Sequence, residues 1–283
     1  MDDSLYVALP GRRYVPTRLT QGPWAAGRQH GGPVAALLAC VLESAAPPGW
    51  LTPQLTVDFL SAVPIAELSV DVEVVKDGRR TRCVTASIGR DGRVFARARA
   101  WQVSQARIPD ASRIPDASRI PDASRIPDAS RIPDAAVGPA APAPLPGESS
   151  YGRASFRFGY QEAVELRFAR GSFRDRAPAT AWARLLVPLL PGAVCSPLQR
   201  VAALADFGSG ISAILDRADW AYHNLDLSVH LHRQPAGEWI CLDAASLVGP
   251  EGTGTCLTTL HDAAGPVGAA AQSLLVTPAA AQR

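Results

Sequence analysis

The stretch LTVDFLSAVP at residues 55–64 is answered by LSVHLHRQP at residues 227–235. In each, apolar and polar residues alternate until a proline ends the run, as in a strand with one buried face. A second pair of segments, SIGRDGRVFARARAWQV and TLHDAAGPVGAAAQSLLV, repeats at nearly the same spacing, an offset of 171 to 173 residues. Two matches at near-constant offset indicate two copies of one structural unit.

Each copy carries a helix upstream of its strands. In the first, Val34, Leu37, Leu38, Val41 and Leu42 recur at helical spacing, Pro33 fits the first turn, and Pro47-Pro48-Gly49 ends the run. In the second, Ser196 can cap, Pro197 suits the first helical position, and Leu198, Val201, Ala202 and Ala205 form one stripe before ALADFGSG (203–210) breaks at glycines. The first helix is followed by the strand at 55–64 and three further antiparallel strands, with Asp-Gly turns at Lys76-Asp77-Gly78 and Arg90-Asp91-Gly92. Strands at 225–231, 237–248 and 254–276 follow the second. Residues 5–19 are expected to form an opening strand, 160–173 another, and 181–189 a strand or short helix. One helix wrapped by a long antiparallel sheet, twice over, predicts an α+β double hot-dog.

Composition narrows the partners. The 283 residues carry 28 basic and 26 acidic side chains, a net charge of +2, with 47% hydrophobic residues. A core of good size is expected, and no basic face suited to nucleic acid. The N-terminus MDDSLYVALPGRR lacks an apolar signal core and no run approaches a membrane span, so no membrane partner and a cytoplasmic location are expected. Five cysteines without CxxC or Cys/His spacing imply neither a disulfide frame nor a zinc site; no metal and no cofactor are expected. Cys40 and Cys241, inside apolar segments, should be unreactive.

Residues 107–134 repeat a hexad containing Arg, Ile, Pro and Asp, and 135–147 are rich in Ala and Pro. A proline every six residues forbids a regular helix or a central strand. The expected organisation is therefore an N-terminal hot-dog at 1–104, a disordered linker at 105–148, with a repeat-bound partner as the alternative, and a C-terminal hot-dog at 149–283.

Taken in order, GPWAAGRQHGGPVAALLA, ALADFGSG, HNLDLSVHLHRQPAGEWICLDA and GPVGAAAQSLLV make the chain resemble the TesB-like acyl-CoA thioesterase II family, which has a tandem hot-dog fold. The resemblance implies a hydrolytic water held by an acid on the second helix, a hydroxyl or amide residue at the next strand and a glutamine on the last strand. The matching positions are Asp206, Asn224 and Gln272, with asparagine where some members carry threonine.

The residues allow that chemistry. Asp206 lies at the edge of its helix's apolar stripe, where an ionised carboxylate needs donors, although structural ion pairs also place acids there. Asn224 is in phase with Asp226, Ser228 and His230 and should share their polar strand face. Gln272 follows Ala269, Ala270 and Ala271, which leave it room. Asp206 would be general base, Asn224 and Gln272 would position the water, and His30, Gly31 and Gly32, at a helix N-terminus, would serve as oxyanion and substrate-binding groups, at roughly 3 kcal/mol per donor. Hydrolysis of acyl-CoA to free acid and CoA would then need no covalent intermediate.

The alternatives are a non-catalytic acyl-CoA-binding or scaffold protein and a hot-dog dehydratase or hydratase using His30 with Glu43. A homo-oligomer is compatible with each. No G-x-S-x-G elbow or phosphate-binding glycine loop is present, and His230 with His232 lacks a third ligand. One site per chain is expected, because the offset carries Asn224, Gln272 and Asp206 back to Thr52, Arg99 and the neighbourhood of Val34.

Overall fold

The computed structural model describes residues 3–106 and 158–279; the predicted linker lies outside the described residues from 107 onward. The first half runs β1 (Tyr6–Leu9), β2 (Arg13–Pro16), α1 (Gly31–Ser44), β3 (Trp50–Phe59), β4 (Leu68–Asp77), β5 (Thr81–Arg90) and β6 (Arg93–Ser104). The second runs α2 (Gly159–Glu162), β7 (Val164–Arg170), β8 (Ala179–Leu185), α3 (Pro197–Ala205), α4 (Gly208–Ile211), β9 (Trp220–Asn224), β10 (Asp226–Leu231), β11 (Ile240–Val248), β12 (Thr253–Asp262) and β13 (Gly265–Pro278). All strands among the described residues join one antiparallel sheet in the order β1-β2-β4-β5-β6-β3-β10-β13-β12-β11-β8-β7, with β9 also on β13. This is the double hot-dog. No helix among the described residues is long and apolar enough to cross a membrane.

The repeated strands themselves join the halves. Thr56 of β3 faces Ser228 of β10, flanked by Leu55 opposite Val229 and Val57 opposite Leu227. Their hydroxyls lie 3.1 Å apart across a sequence separation of 172. A residue therefore faces its own repeat counterpart, which places a local twofold axis between them. The same register corrects one predicted correspondence. Thr56 pairs with Arg99 and Leu55 with Ala100 in the first half, while Ser228 pairs with Ala271 in the second. Ala271 is thus the counterpart of Arg99, and Gln272 that of Ala100. The phase agrees, since Ala100 and Gln272 are buried and Arg99 is exposed.

Helices α1 and α3 run antiparallel through the core that the sheet encloses. The apolar stripe predicted for α1 is buried, and so are Ala35, Ala36 and Ala39, because sheet and α3 surround the helix. The second helix is shorter than its pattern suggests. It ends at Ala205 with Asp206 as C-cap, tightens so that Phe207 N–H donates to the Leu204 carbonyl, and restarts at Gly208. Two stretches read as single strands differ likewise. Residues 5–19 contain the β1–β2 hairpin, turned at Gly11 and Arg12 with φ of 77° and 56°, and residues 160–173 begin in α2 before β7. The N-terminal strand also reaches the other half, for Leu5 and Tyr6 N–H groups donate to the carbonyls of Pro188 and Leu189.

Candidate functional site

Where the C-terminus of α3 meets the N-terminus of α1, Asp206 is held from several sides. Its side chain is only 2% exposed. Asn224 Nδ2 donates to Oδ1 at 2.6 Å, and Gln272 Nε2 lies 3.4 Å from Oδ1 and 3.3 Å from the Asp206 carbonyl oxygen. On the other side His30 Nδ1 is 2.8 Å from Oδ2. Both amides are themselves oriented by Ser209. Its hydroxyl donates to Asn224 Oδ1 at 2.9 Å and its backbone N–H to Gln272 Oε1 at 3.0 Å. A buried carboxylate is tolerated when hydrogen-bond donors replace its water, and here Asn224 of β9 and Gln272 of β13 supply them.

The two glycines of α1 divide the work. A Cβ on Gly31 would stand 2.7 and 3.0 Å from the carboxylate oxygens of Asp206, so only glycine lets the carboxylate sit against the start of the helix. The positive end of α1 favours a carboxylate there. A Cβ on Gly32 would instead strike the Ala203 carbonyl oxygen at 2.3 Å, and its N–H lies 3.2 Å from His30 Nδ1. Gly32 therefore faces α3 rather than the cavity, and of the two predicted oxyanion glycines only Gly31 reaches the wall.

Asn224 arrives at Asp206 by a route that strand alternation does not show. The expectation placed it on the face of Ser228 and His230, with Leu225 on the buried face. In the structure the ladder breaks at Leu225, which separates β9 from β10 and is 48% exposed. Asp226 Oδ1 accepts the Ser273 N–H at 2.6 Å beside this break. A one-residue irregularity reverses the side-chain phase, turning Asn224 inward while Ser228 and His230 remain outward.

These groups border a cavity of about 430 Å³. Val34, Phe59, Val63 and Phe173 give it apolar walls, and Arg28 and Arg217 are the arginines on its lining. His30, Gly31, Asp206 and Asn224 also line it, whereas Gln272 sits behind Asp206, 2% exposed. His223, on the same wall, is pushed below the ordinary histidine pKa by burial. Three aromatic rings surround His30: Phe158, stacked at 5.9 Å between centroids, and Tyr160 and Phe207, each at 5.0 Å. Sequence reasoning missed Ser209, Phe158, Tyr160 and Phe207. Only the spacing of Ser209 from Asp206, one helical turn, hinted at any of them.

Glu43 is elsewhere. It lies thirteen residues along α1 from His30, about 20 Å for a helix, and accepts hydrogen bonds from Ser196 Oγ and Gln199 Nε2. The His30–Glu43 dehydratase pair is thereby overturned. Burial pushes the Cys40 thiol up to about 11 and the Cys241 thiol up to about 12, the direction expected of thiols inside apolar segments.

Comparison with known proteins points the same way. A family model described as the acyl-CoA thioesterase N-terminal domain matches residues 20–103, and one described as the acyl-CoA thioesterase C-terminal domain matches residues 133–276. Among solved structures, a conserved hot-dog protein of unknown function from Alicyclobacillus acidocaldarius is 17% identical, with a TM-score of 0.68 over 98% of this chain and 97% of that one. The acyl-CoA thioesterase II TesB2 of Mycobacterium marinum is also 17% identical, with a TM-score of 0.62 over 96% and 94%. The tesB protein of Mycobacterium avium subs paratuberculosis gives 17% and 0.63 over 96% of each chain. No curated protein matches in a sequence search. With both domain models matched in order across the two halves of a double hot-dog, the chain belongs to the acyl-CoA thioesterase family and is a thioester hydrolase.

Proposed function

We propose that the chain hydrolyses acyl-CoA to a free acid and CoA by direct attack of water, driven by the Asp206 carboxylate, with no covalent intermediate. The observation that carries this reading is a buried carboxylate held by two amides, Asn224 and Gln272, at the wall of a largely apolar cavity. The apolar walls suit an acyl chain, and Arg28 and Arg217 suit the phosphates of CoA. Water suffices as nucleophile because a thiolate leaves readily from the tetrahedral intermediate. The backbone at Gly31, at the positive end of α1, is the oxyanion support. The five cysteines are free thiols, the state a reducing cytoplasm maintains, and the cytoplasm is the proposed location.

The test is release of free thiol from a panel of acyl-CoAs of increasing chain length. It is paired with calorimetric titration by a non-hydrolysable acyl-CoA analogue. Thiol release from at least one chain length and one binding site per chain are expected. Binding without thiol release from any member of the panel would establish the scaffold reading instead.

A further inference from the structure

We propose that the substrate class of this site is an aryl-substituted, short acyl-CoA whose ring is seated among phenylalanine rings, rather than a straight-chain fatty acyl-CoA. This rests on the hydrolytic reading above and concerns the acyl group alone.

Phenylalanine is scarce in the chain, at seven residues, yet four of them, Phe59, Phe158, Phe173 and Phe207, line the cavity. They come from both halves. Phe59 ends β3, whereas Phe158 precedes α2, Phe173 follows β7 and Phe207 separates α3 from α4. Leucine, far commoner in the sequence, contributes only the half-exposed Leu225 among the described lining residues, and isoleucine and methionine contribute none. Val34 and Val63 are the other branched aliphatic side chains on that wall.

The rings are fixed by their own neighbours. Phe173 meets Phe168 edge-on, with centroids 5.0 Å apart and planes at 89°. Phe207 stacks on Tyr160 at 5.4 Å and 5°, and Phe158 stacks on His30 at 5.9 Å and 7°. Phe59 is tied where the halves join, its N–H donating to the Leu225 carbonyl at 2.9 Å. It also stands beside the chemistry. Phe59 Cζ and both carboxylate oxygens of Asp206 lie within 3.0 Å of the point that a Cβ on Gly31 would occupy. An acyl group whose carbonyl is attacked there therefore has its first few carbons against an aromatic ring.

Such a wall discriminates by shape and stiffness. An aryl group can pair with these rings offset or edge-on, each pair being worth about 2- to 10-fold in binding beyond the area buried. A straight alkyl chain gains only the area, and it has more rotors to freeze on binding. The side chains that follow the varied bends of an alkyl chain are flexible aliphatic ones, methionine above all, and these are what the described lining lacks. Size agrees, for about 430 Å³ lies toward the small end of ligand cavities, which run from about 300 to 1,000 Å³.

The experiment measures thiol release by the full chain from phenylacetyl-CoA and 3-phenylpropanoyl-CoA. Octanoyl-CoA and nonanoyl-CoA, their equals in carbon number, are the straight-chain comparison, with palmitoyl-CoA as the long-chain member. The better aryl substrate should exceed every straight-chain one in kcat/KM by at least about fivefold. Phe59→Leu and Phe173→Leu each exchange a ring for a branched aliphatic side chain, and in at least one of them that ratio should fall by about 2- to 10-fold. A ring with a merely structural role would slow both substrate classes alike and leave the ratio where it was. A wild-type lead below about fivefold, an optimum at a straight chain, or a ratio unchanged in both variants overturns the proposal, and the wild-type comparison decides even where a variant fails to fold. Failure of the hydrolytic reading looks different, for then no member of either class releases thiol.

Discussion

The two ends of the α1–α3 pair are counterparts across the local twofold, and only one of them places its acid on the wall of the cavity. At one end the N-cap of α1, His30, meets an acid at the C-terminus of α3, Asp206. At the other the N-cap of α3, Ser196, meets an acid near the C-terminus of α1, Glu43, with Oγ to Oε2 at 2.6 Å. The surroundings differ. At the Glu43 end, Gln102 Nε2 and Arg82 Nη1 donate to the carbonyls of Leu42 and Ala45 at 2.8 and 2.7 Å, capping the end of α1. The strand positions corresponding to Asn224 and Gln272 hold Thr52 and Ala100. At the Asp206 end, two amides reach the carboxylate and a cavity opens beside it. In the proposed hydrolytic reading, duplication supplied a paired scaffold, and chemistry follows from which strand donors point at the acid.

The contrast is broken most sharply by exchanging each acid for its amide. Asp206→Asn keeps volume and hydrogen bonding but removes the charge, and kcat should fall by about 10²- to 10⁴-fold with the fold retained. Glu43→Gln should leave kcat within about twofold. Thiol release with both variants measures this, and equal losses would mean that both ends serve the reaction.

The adjacent glycines sharpen it next. Gly31→Ala pushes on the carboxylate and on Phe59, whose ring carbon would stand 3.0 Å from the new methyl. Its expected effect is on rate, about 10- to 100-fold, since small misplacements of a reacting group are costly. Gly32→Ala strikes a backbone carbonyl that cannot swing away, so it should lower stability by about 1–3 kcal/mol. Denaturant melts and kcat, measured on both variants, separate the two roles; the reverse pattern would refute the assignment of Gly31 to the site.

Much of this was legible in the sequence because it depends on local pattern. The Asp91–Gly92 turn takes the positive φ that Asp-Gly permits, 51° and 76°, and Ser196–Pro197 begins α3 with a capping box. The repeat offset even located the twofold, at Thr56 and Ser228. Legibility failed wherever geometry depended on a break in period. Asn224 turns inward only because the ladder slips at Leu225, and alternation contains no signal for one irregular residue. The shift between Arg99 and Ala100 as the counterpart of Gln272 has the same origin, a one-residue ambiguity that inverts every side chain. The ring cluster around His30 comes from residues far apart in sequence, which no spacing rule connects.

Smaller effects separate capping from catalysis. Ser196→Ala removes both the cap to Gln199 N–H, at 3.1 Å, and the donor to Glu43. Loss of a helix cap costs about 1 kcal/mol, so the variant should unfold at lower denaturant with kcat unchanged. A fall in kcat as large as that of a substitution at the His30 end would show that the ends are coupled through the helices.

The finest distinction is one of pH. Glu43 has its pKa raised above the ordinary 4.5, burial being the largest cause, with the hydrogen bonds from Ser196 and Gln199 acting in the opposite direction. A carboxyl whose folded value lies above its unfolded value binds its proton more tightly when folded. Its contribution to stability is therefore fully present below the unfolded value and is lost as pH rises through the folded one. At neutral pH the wild type carries a half-buried charge that two donors only partly compensate. Glutamine has no such charge and still offers a carbonyl oxygen to Ser196 Oγ. Glu43→Gln should therefore melt above the wild type near pH 7, and the difference should shrink as the pH is lowered toward and below 4.5. Melting temperatures of both proteins across that range decide the matter: a wild type that is the more stable at neutral pH would mean that the Ser196 and Gln199 donors outweigh burial at Glu43.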